Sequence, residues 1–286
     1  MKQLLILSGK GGTGKTTVAS AFIKLAKAKA YADCDVDAPN LHLAIHHPQK
    51  PKNIEYFGMK KANIDNAICT RCGLCETHCR FDAITSVDGY KVDEYACEGC
   101  GVCRMVCPEN AISLVPHVAG NLILYKSDTV FSTALLKMGS GNSGMLVSKV
   151  KKQLIEANVD SDIVIIDGSP GIGCPVIASI TGVDMVLIVT EPTISGISDL
   201  KRIVKTAEIF QVKVAVCINK YDINLENTKQ IEVLCDALKL PLTTGIPYDI
   251  MAVQAVNEGM TIVDVACASG SAVRKVMSET MTILNG

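Results

Sequence analysis

Apolar residues recur along this chain with two different periods, which predicts strands that alternate with helices. Short apolar runs predict strands at residues 3–8, 31–37, 122–125, 163–166, 185–190, 212–219 and 243–246. Apolar residues on one helical face predict helices at residues 15–28, 145–157, 175–181, 197–210, 227–238, 251–257 and 272–284. This alternation predicts an α/β fold with a mostly parallel sheet that is covered by helices on both faces.

The pattern breaks down between residues 60 and 117. In this stretch cysteine, glycine and charged residues replace the regular apolar spacing, which returns at residue 122. We therefore expect residues 60–117 to form a small inserted α+β module. The remaining residues, 1–59 and 118–286, would then form one discontinuous domain.

Composition narrows the class of protein. The 286 residues are 48% hydrophobic and 4% aromatic, and the formal net charge of −1 gives no strong field for nucleic acid or an anionic membrane. No apolar run reaches membrane-spanning length, and the run before Ser8 is too short for a signal peptide. We expect a cytoplasmic protein with no nucleic-acid partner and no membrane insertion. Its 13 cysteines should then be ligands or core residues rather than disulfides.

The clearest chemical motif follows the first predicted strand and opens the first predicted helix. Residues 9–16 fit the pattern G-x-x-x-x-G-K-[ST], in which backbone N–H groups surround phosphate oxygens at a helix N-terminus. We expect Lys15 to reach the β- and γ-phosphates and the Thr16 hydroxyl to bind Mg²⁺. The predicted nucleotide-binding residues of this loop are Gly9, Lys10, Gly11, Gly12, Thr13, Gly14, Lys15, Thr16 and Thr17.

The early lysine of this loop, Lys10, makes it resemble the deviant Walker loop of the MinD, ParA, Mrp and nitrogenase iron-protein families. In those families this lysine crosses the interface of an ATP-sandwich dimer and stabilises charge on the partner's nucleotide. The resemblance therefore implies a P-loop NTPase that hydrolyses ATP slowly and forms an ATP-dependent homodimer. The alternative for Lys10 is a solvated loop lysine.

Two further runs resemble motifs of the same families. The run D-C-D-V-D-A-P-N-L at residues 33–41 resembles switch I, which implies that Asp35 orients the attacking water or holds Mg²⁺. The run D-G-S-P-G at residues 167–171 resembles Walker B and switch II, which implies a Mg²⁺ ligand at Asp167. Solvated carboxylates at strand ends are the alternative. The catalytic residues that the resemblance implies are Lys10, Lys15, Asp35 and Asp167.

Two later segments resemble the adenine-side elements of MinD-like proteins. They are N-K-Y-D at residues 219–222 and I-P-Y-D at residues 246–249, which imply base contacts at Asn219, Pro247 and Asp249. The first segment also spells the guanine-reading motif of GTPases. GTP is therefore kept as the less favoured alternative to ATP.

Eight cysteines repeat one spacing, C-x2-C-x2-C-x3-C, which resembles the ligand run of bacterial two-cluster ferredoxins. The two copies are Cys69, Cys72, Cys75 and Cys79, then Cys97, Cys100, Cys103 and Cys107. The resemblance implies a ferredoxin-like module with two 4Fe–4S clusters, each bound by three cysteines of one copy and the last cysteine of the other. Zinc is the alternative, but structural zinc sites usually separate two ligand pairs by a dozen or more residues. The first copy departs from the pattern at Arg80, where the second has Pro108.

The other cysteines are less informative. Cys174 lies seven residues after Asp167, at the offset of a cluster-bridging cysteine in the nitrogenase iron protein. It is therefore either a metal ligand or a small buried residue at a helix start. We expect core positions for Cys34, Cys217, Cys235 and Cys267. We expect an exposed loop for His46 and His47, with a role as ligands as the alternative.

Three functions fit these features. The favoured one couples ATP-driven changes of dimer and switch to electron transfer through the two clusters, which serve an unknown redox partner. The second is a Mrp-like carrier or assembly ATPase that delivers iron–sulfur or other metal clusters to a client protein. The third is a MinD-like positioning switch in which the clusters are structural.

Overall fold

The computed structural model describes residues 1–45, 47 and 49–286. Its strands are β1 (Lys2–Leu7), β2 (Ala30–Asp33), β3 (Lys52–Phe57), β4 (Lys61–Ile64), β5 (Ile84–Thr85), β6 (Lys91–Val92), β7 (Ile112–Val115), β8 (Val118–Lys126), β9 (Val130–Leu136), β10 (Ile163–Asp167), β11 (Met185–Thr190) and β12 (Lys213–Ile218). Its α-helices are α1 (Lys15–Ala26), α2 (Leu41–Ala44), α3 (Leu74–Thr77), α4 (Val102–Val106), α5 (Ser143–Glu156), α6 (Cys174–Ile180), α7 (Ile194–Ile209), α8 (Leu225–Leu238), α9 (Ile250–Asn257) and α10 (Ala268–Asn285).

The main sheet has the strand order β12-β11-β1-β10-β2-β9-β8-β3 across the described residues. Strands β12 to β9 pair in parallel, whereas β8 is antiparallel to both β9 and β3. The predicted α/β fold with a mostly parallel sheet is therefore confirmed. The ends of the parallel strands at Leu7, Asp33, Asp167 and Thr190 meet along one edge of the sheet.

The inner strands of this sheet are buried on both faces, which explains their unbroken apolar runs. Successive residues of β1 point to opposite faces, so Leu5 and Leu7 pack in one core with α5 and α7. Leu4 and Ile6 pack in the other core with α1 and α10. Complete burial of such a side chain contributes about 1.5–3 kcal/mol.

Some predicted elements differ from the structure. Residues 243–246 do not form a regular strand. The pairing beside β12 is limited to isolated bridges, Leu242 with Val216 and Ile246 with Asn219. Strands β3 and β9 were missed because β3 is an exposed edge strand and β9 carries polar residues inside the core. One of these, Ser132, is satisfied there by donating to the Val150 carbonyl oxygen at 2.8 Å.

Residues between β3 and β8 form a separate small layer beside the main sheet. The pairs β4–β7 and β5–β6 are antiparallel two-stranded sheets, and α3 and α4 pack with them around a core of their own. This layer leaves and rejoins the main sheet at neighbouring points, since the Gly58 amide donates to the His117 carbonyl oxygen at 3.2 Å.

No helix in the described part of the chain is both long enough and apolar enough to cross a membrane.

Candidate functional site

The phosphate loop connects the end of β1 to the start of α1. Gly12 and Gly14 have φ angles of 80° and 86°, which L-residues with a side chain rarely adopt. A Cβ atom on Gly14 would also lie 2.3 Å from the Asn219 side-chain nitrogen, so only glycine fits there. The loop lines a cavity of about 570 Å³ together with Asp35, Ser169 and Pro170. The structure thus brings the three predicted nucleotide motifs to one cavity.

Lys15, Thr16 and Asp167 form the polar centre of this cavity. The Lys15 Nζ atom lies 2.5 Å from one Asp167 carboxylate oxygen, and the Thr16 hydroxyl donates to the other at 2.6 Å. Burial alone would lower the pKa of Lys15, but Asp167, Asp33 and Asp35 raise it above its usual value. The lysine is therefore held as a cation at the position where phosphate charge is expected. Hydroxyl and carboxylate oxygens side by side also suit Mg²⁺, which prefers oxygen ligands.

Asp33 and Asp35 have different environments. The Asp33 carboxylate is fully buried and accepts hydrogen bonds from the backbone N–H groups of Asp35, Asn40 and Leu41, each at 3.0 Å. These bonds turn the chain out of β2, so the strand predicted at residues 31–37 ends at Asp33. Asp35 is carried on the turned segment and faces the phosphate cavity, and burial raises its pKa.

A second cavity of about 210 Å³ lies beside the phosphate loop. Its lining includes Asn219, Pro247 and Asp249, as expected for a base pocket, and the Asn219 side chain donates to the Thr13 carbonyl oxygen at 2.7 Å. The Asp249 carboxylate is occupied, because it accepts from the N–H groups of Met251 at 3.0 Å and Ser269 at 3.1 Å. Asp249 therefore shapes the pocket and caps two helices.

Sequence reasoning missed Glu191, which follows directly after β11 at the same sheet edge. Its side chain is 10% exposed and lies 3.5 Å from the Lys10 Nζ atom and 2.6 Å from the Lys220 Nζ atom. Lys10 also lies 3.4 Å from the Thr193 hydroxyl. A carboxylate at the end of a buried strand is the signal that could have identified this residue, since Asp33 and Asp167 stand at the ends of their own strands.

The eight cysteines of the insertion divide between two cavities. Cys69, Cys72, Cys75 and Cys107 line one of them. Cys79, Cys97, Cys100 and Cys103 line the other. Each set combines three cysteines of one repeat with the last cysteine of the other repeat. No three His, Cys, Asp or Glu side chains in the described residues are arranged to hold a single metal ion. A cubane cluster needs a different arrangement, because each of its four thiolates binds a different iron atom.

The two cysteine repeats also share their local geometry. Gly73 and Gly101 precede α3 and α4 with φ angles of 81° and 77°. The amides of Ala83 and Ala111 donate to the sulfur atoms of Cys79 and Cys107 at 3.4 and 3.3 Å, respectively. The replacement of proline by Arg80 thus leaves the backbone of the first repeat similar to that of the second.

The remaining cysteines separate into buried and accessible groups. Cys34, Cys217 and Cys235 are fully buried in the core, as expected. Cys267 instead caps α10, where its sulfur accepts from the Gly270 amide at 3.3 Å. Cys174 is exposed at the first residue of α6, so its interpretation as a small buried residue is wrong.

Of the two histidines before the insertion, His47 differs from the exposed position that we expected. The His47 ring stacks on Phe131 with a centroid distance of 4.8 Å and lies tilted against Tyr125 at 4.6 Å, so it is not an exposed loop residue. His46 lies outside the described residues.

Comparison with known proteins gives a family and several relatives. The model of the CobQ/CobB/MinD/ParA nucleotide binding domain matches residues 4–262 of this chain. An uncharacterized protein of Methanocaldococcus jannaschii is 34% identical over 228 residues, which cover 78% of this chain and 79% of that protein. A septum site-determining protein MinD of Buchnera aphidicola is 24% identical and is matched over 91% of this chain and 83% of its own length.

A solved structure extends the likeness to three dimensions. The septum site-determining protein MinD complexed with Mg-ADP from Pyrococcus horikoshii superposes with a TM-score of 0.58. The match covers 98% of this chain and 95% of that chain at 20% identity. It shows that the two proteins share a fold.

Proposed function

Since this chain belongs to the CobQ/CobB/MinD/ParA family of nucleotide-binding proteins and is an ATPase of the MinD/ParA type, we propose that it acts as a Mg-ATP-dependent dimerising switch. The observation that carries the Mg-ATP part of this proposal is the group formed by Lys15, Thr16 and Asp167, in which both contacts to the carboxylate are 2.6 Å or shorter. Dimerisation is proposed from the resemblance of the loop around Lys10 to the deviant Walker loop. ATP phosphates and Mg²⁺ are the ligands whose charges suit these side chains.

The charged and hydroxyl side chains at the centre of the phosphate cavity have proposed roles. The loop amides and Lys15 bind the β- and γ-phosphates, and Thr16 and Asp167 hold Mg²⁺, which neutralises phosphate charge when it is bound. Asp35 faces the same cavity and orients the attacking water. Lys10 reaches the nucleotide of a second copy across the dimer interface.

The base pocket supports ATP over GTP. A guanine-reading carboxylate must face the base, whereas Asp222 is not among the residues that line the base pocket and its Oδ1 accepts from the Tyr248 amide at 2.7 Å. Asp249 is likewise occupied by two backbone amides. Adenine needs no such carboxylate, which agrees with the Mg-ADP named for the MinD protein of Pyrococcus horikoshii.

We further propose that the module of residues 60–117 binds two 4Fe–4S clusters. Support comes from the division of the eight cysteines between two cavities, with the pairing that a two-cluster ferredoxin needs. Such clusters supply one-electron chemistry when they are bound. Because MinD proteins of Buchnera aphidicola and Pyrococcus horikoshii are among the similar proteins, a MinD-like switch is favoured here over the electron-transfer function that we first expected.

Close contacts connect the module to the nucleotide site. A Cβ atom on Gly141 would lie 3.3 Å from the Glu98 carboxylate, which is next to Cys97. A Cβ atom on Gly144 would lie 3.2 Å from the Cys174 side chain, at the end of the switch II segment. The stretch from the end of β9 to the first turn of α5 therefore touches both regions, which supports coupling between nucleotide state and the cysteine module.

The switch is tested by two lysine variants in size-exclusion chromatography and an ATPase assay. Lys15→Ala should abolish ATP binding, because it removes the buried cation at the phosphates. Lys10→Ala should retain ATP binding by the monomer and lose both ATP-dependent dimerisation and hydrolysis. Unchanged ATP affinity of Lys15→Ala would reject the site, and normal turnover of Lys10→Ala would reject the cross-dimer role.

The clusters are tested by anaerobic iron analysis and electron paramagnetic resonance of the reduced protein with and without Mg-ATP. About eight irons per chain are expected for two cubane clusters. A signal that changes with Mg-ATP would support ATP-gated electron transfer, whereas an unchanged signal would support structural clusters. Zinc in place of iron in anaerobically prepared protein would reject the cluster assignment.

A further inference from the structure

Glu191 connects the phosphate loop to the base pocket. Its carboxylate oxygens contact a different lysine each: Oε1 lies 2.6 Å from Nζ of Lys220, and Oε2 lies 3.5 Å from Nζ of Lys10. Lys220 adopts a left-handed backbone conformation with φ of 54°, and its Nζ atom lies 3.5 Å from the Gly12 carbonyl oxygen. One nearly buried anion thus joins a lysine of the phosphate loop to a lysine of the base pocket.

The two contacts differ in strength. The Lys220 contact is short, and its Nζ atom also approaches a loop carbonyl. The Lys10 contact is longer, and the Lys10 side chain is 36% exposed. If Lys10 leaves, the Glu191 carboxylate keeps Lys220 as its partner, so departure does not leave a buried charge without compensation. The arrangement therefore holds Lys10 at the loop and also permits its release.

We propose that Glu191 is a positioning residue that retains Lys10 on its own subunit in the monomer and thereby sets the threshold for ATP-dependent dimerisation. This inference rests on the proposed dimerising switch. In the monomer, Lys10 is paired with Glu191 and directed toward Thr193. On dimerisation, the Lys10 ammonium group exchanges this carboxylate for the phosphate oxygens of the second copy, while Lys220 continues to neutralise Glu191.

Two variants should shift the dimerisation threshold in opposite directions. Glu191→Gln keeps the shape and removes the charge that retains Lys10, so dimerisation should require about fivefold less protein at saturating Mg-ATP. Lys220→Met leaves Lys10 as the remaining cation for Glu191, so dimerisation should require about fivefold more protein. A purely structural role for Glu191 would impair both variants in the same direction and would overturn the proposal.

The dimerisation measurement uses sedimentation of the full chain over a protein dilution series. Because Lys220 lines the base pocket, the ATP affinity of each variant is measured separately, and Mg-ATP is kept saturating. Glu232→Gln is the matched control, since it removes a carboxylate from the exposed pair with Lys229 at 3.0 Å. This control should leave the threshold unchanged.

A second measurement does not depend on dimerisation. Amine-reactive labelling of the nucleotide-free monomer, read by mass spectrometry, should show Lys10 labelled about threefold faster in Glu191→Gln than in the parent or in Glu232→Gln. Equal labelling rates would overturn the proposed retention of Lys10. A parent chain that stays monomeric with Mg-ATP would instead reject the dimerising switch, so failure of the two proposals can be told apart.

Discussion

Asp33 illustrates how one buried side chain can organise a functional loop. It binds no nucleotide in our proposal, yet its carboxylate accepts three backbone N–H groups and turns the chain so that Asp35 faces the phosphate cavity. Asp33 is fully buried and lies near Asp167. Because these two carboxylates lie so close together, we expect the stability of the protein to depend on pH through Asp33.

The stability of the nucleotide-free protein should depend on this group. Burial, together with the neighbouring Asp167, raises the pKa of Asp33 from 3.8 to about 7. Between these values the folded protein keeps a proton that the unfolded chain has released, so the contribution of Asp33 to the free energy of unfolding falls as pH rises from 3.8 to about 7. Urea unfolding of the parent and of Asp33→Asn across this range measures the contribution.

The difference in unfolding free energy between the parent and Asp33→Asn should shrink with rising pH and level off above about pH 8. Glu232→Gln provides a control with an exposed carboxylate, for which the difference should be flat. A difference that grows with pH would contradict the raised pKa of Asp33.

At the scale of elements, the Lys151 side chain connects α5 to α6 through hydrogen bonds. Its buried Nζ atom lies 2.7 Å from the Ser179 carbonyl oxygen and 2.5 Å from that of Thr181, which are at the C-terminal end of α6. A cation at that position satisfies carbonyl groups that have no partner within the helix. Since α6 begins at Cys174, shortly after the switch II segment, this contact helps to position one side of the nucleotide site.

Replacement of Lys151 by methionine should lower the free energy of unfolding by about 2–3 kcal/mol, because it leaves buried carbonyl groups without their charged donor. Lys152→Met is the matched control. Lys152 is 64% exposed and lies 3.5 Å from Glu156, so its loss should change stability by less than about 0.5 kcal/mol. Chemical denaturation measures both variants. Similar decreases in their free energies of unfolding would contradict the stabilising role of the Lys151 contact with α6.

The elements also show what sequence can predict. The phosphate loop and the cysteine runs are local patterns whose chemistry fixes their spacing, so their residues could be named in advance. Lys151 acts through carbonyl groups that lie 28 and 30 residues away, and no local pattern marks it. Glu191 is marked only by its place after a strand, because its lysine partners are distant in sequence. Asp33 bonds to nearby residues, but the D-C-D-V-D run does not show that its carboxylate accepts the Asn40 and Leu41 amides. Edge strand β3 was missed because its residues are mostly exposed, which removes the apolar signal that identified β1 and β10.

On the scale of the whole molecule, the cysteine module is inserted between two neighbouring antiparallel strands. Gly58 and His117 are joined by a backbone hydrogen bond, so the two attachment points lie side by side. The module also has its own hydrophobic core. The main sheet therefore needs no residue of the module to complete its strand order.

Excision of residues 59–116, with a short glycine-containing turn in their place, should retain nucleotide binding. The turn only has to connect the adjacent ends of β3 and β8. We expect ATP affinity within about threefold of the parent and complete loss of bound iron, as measured by fluorescent-nucleotide titration and iron analysis.

The excised chain carrying Lys15→Ala serves as the control and should bind no ATP. A soluble excised chain that has lost nucleotide binding would show that the ATPase depends on the module.

The paired attachment points also bear on how such a gene can change. A segment whose two ends meet between neighbouring strands can be gained, lost or exchanged in one genetic event. The remaining domain then keeps all the residues that form its sheet and core. The ATPase and the cysteine module can thus follow separate evolutionary histories within one reading frame. Proteins that descend from one ancestral ATPase can then differ in the module inserted between β3 and β8 and still bind ATP in the same way.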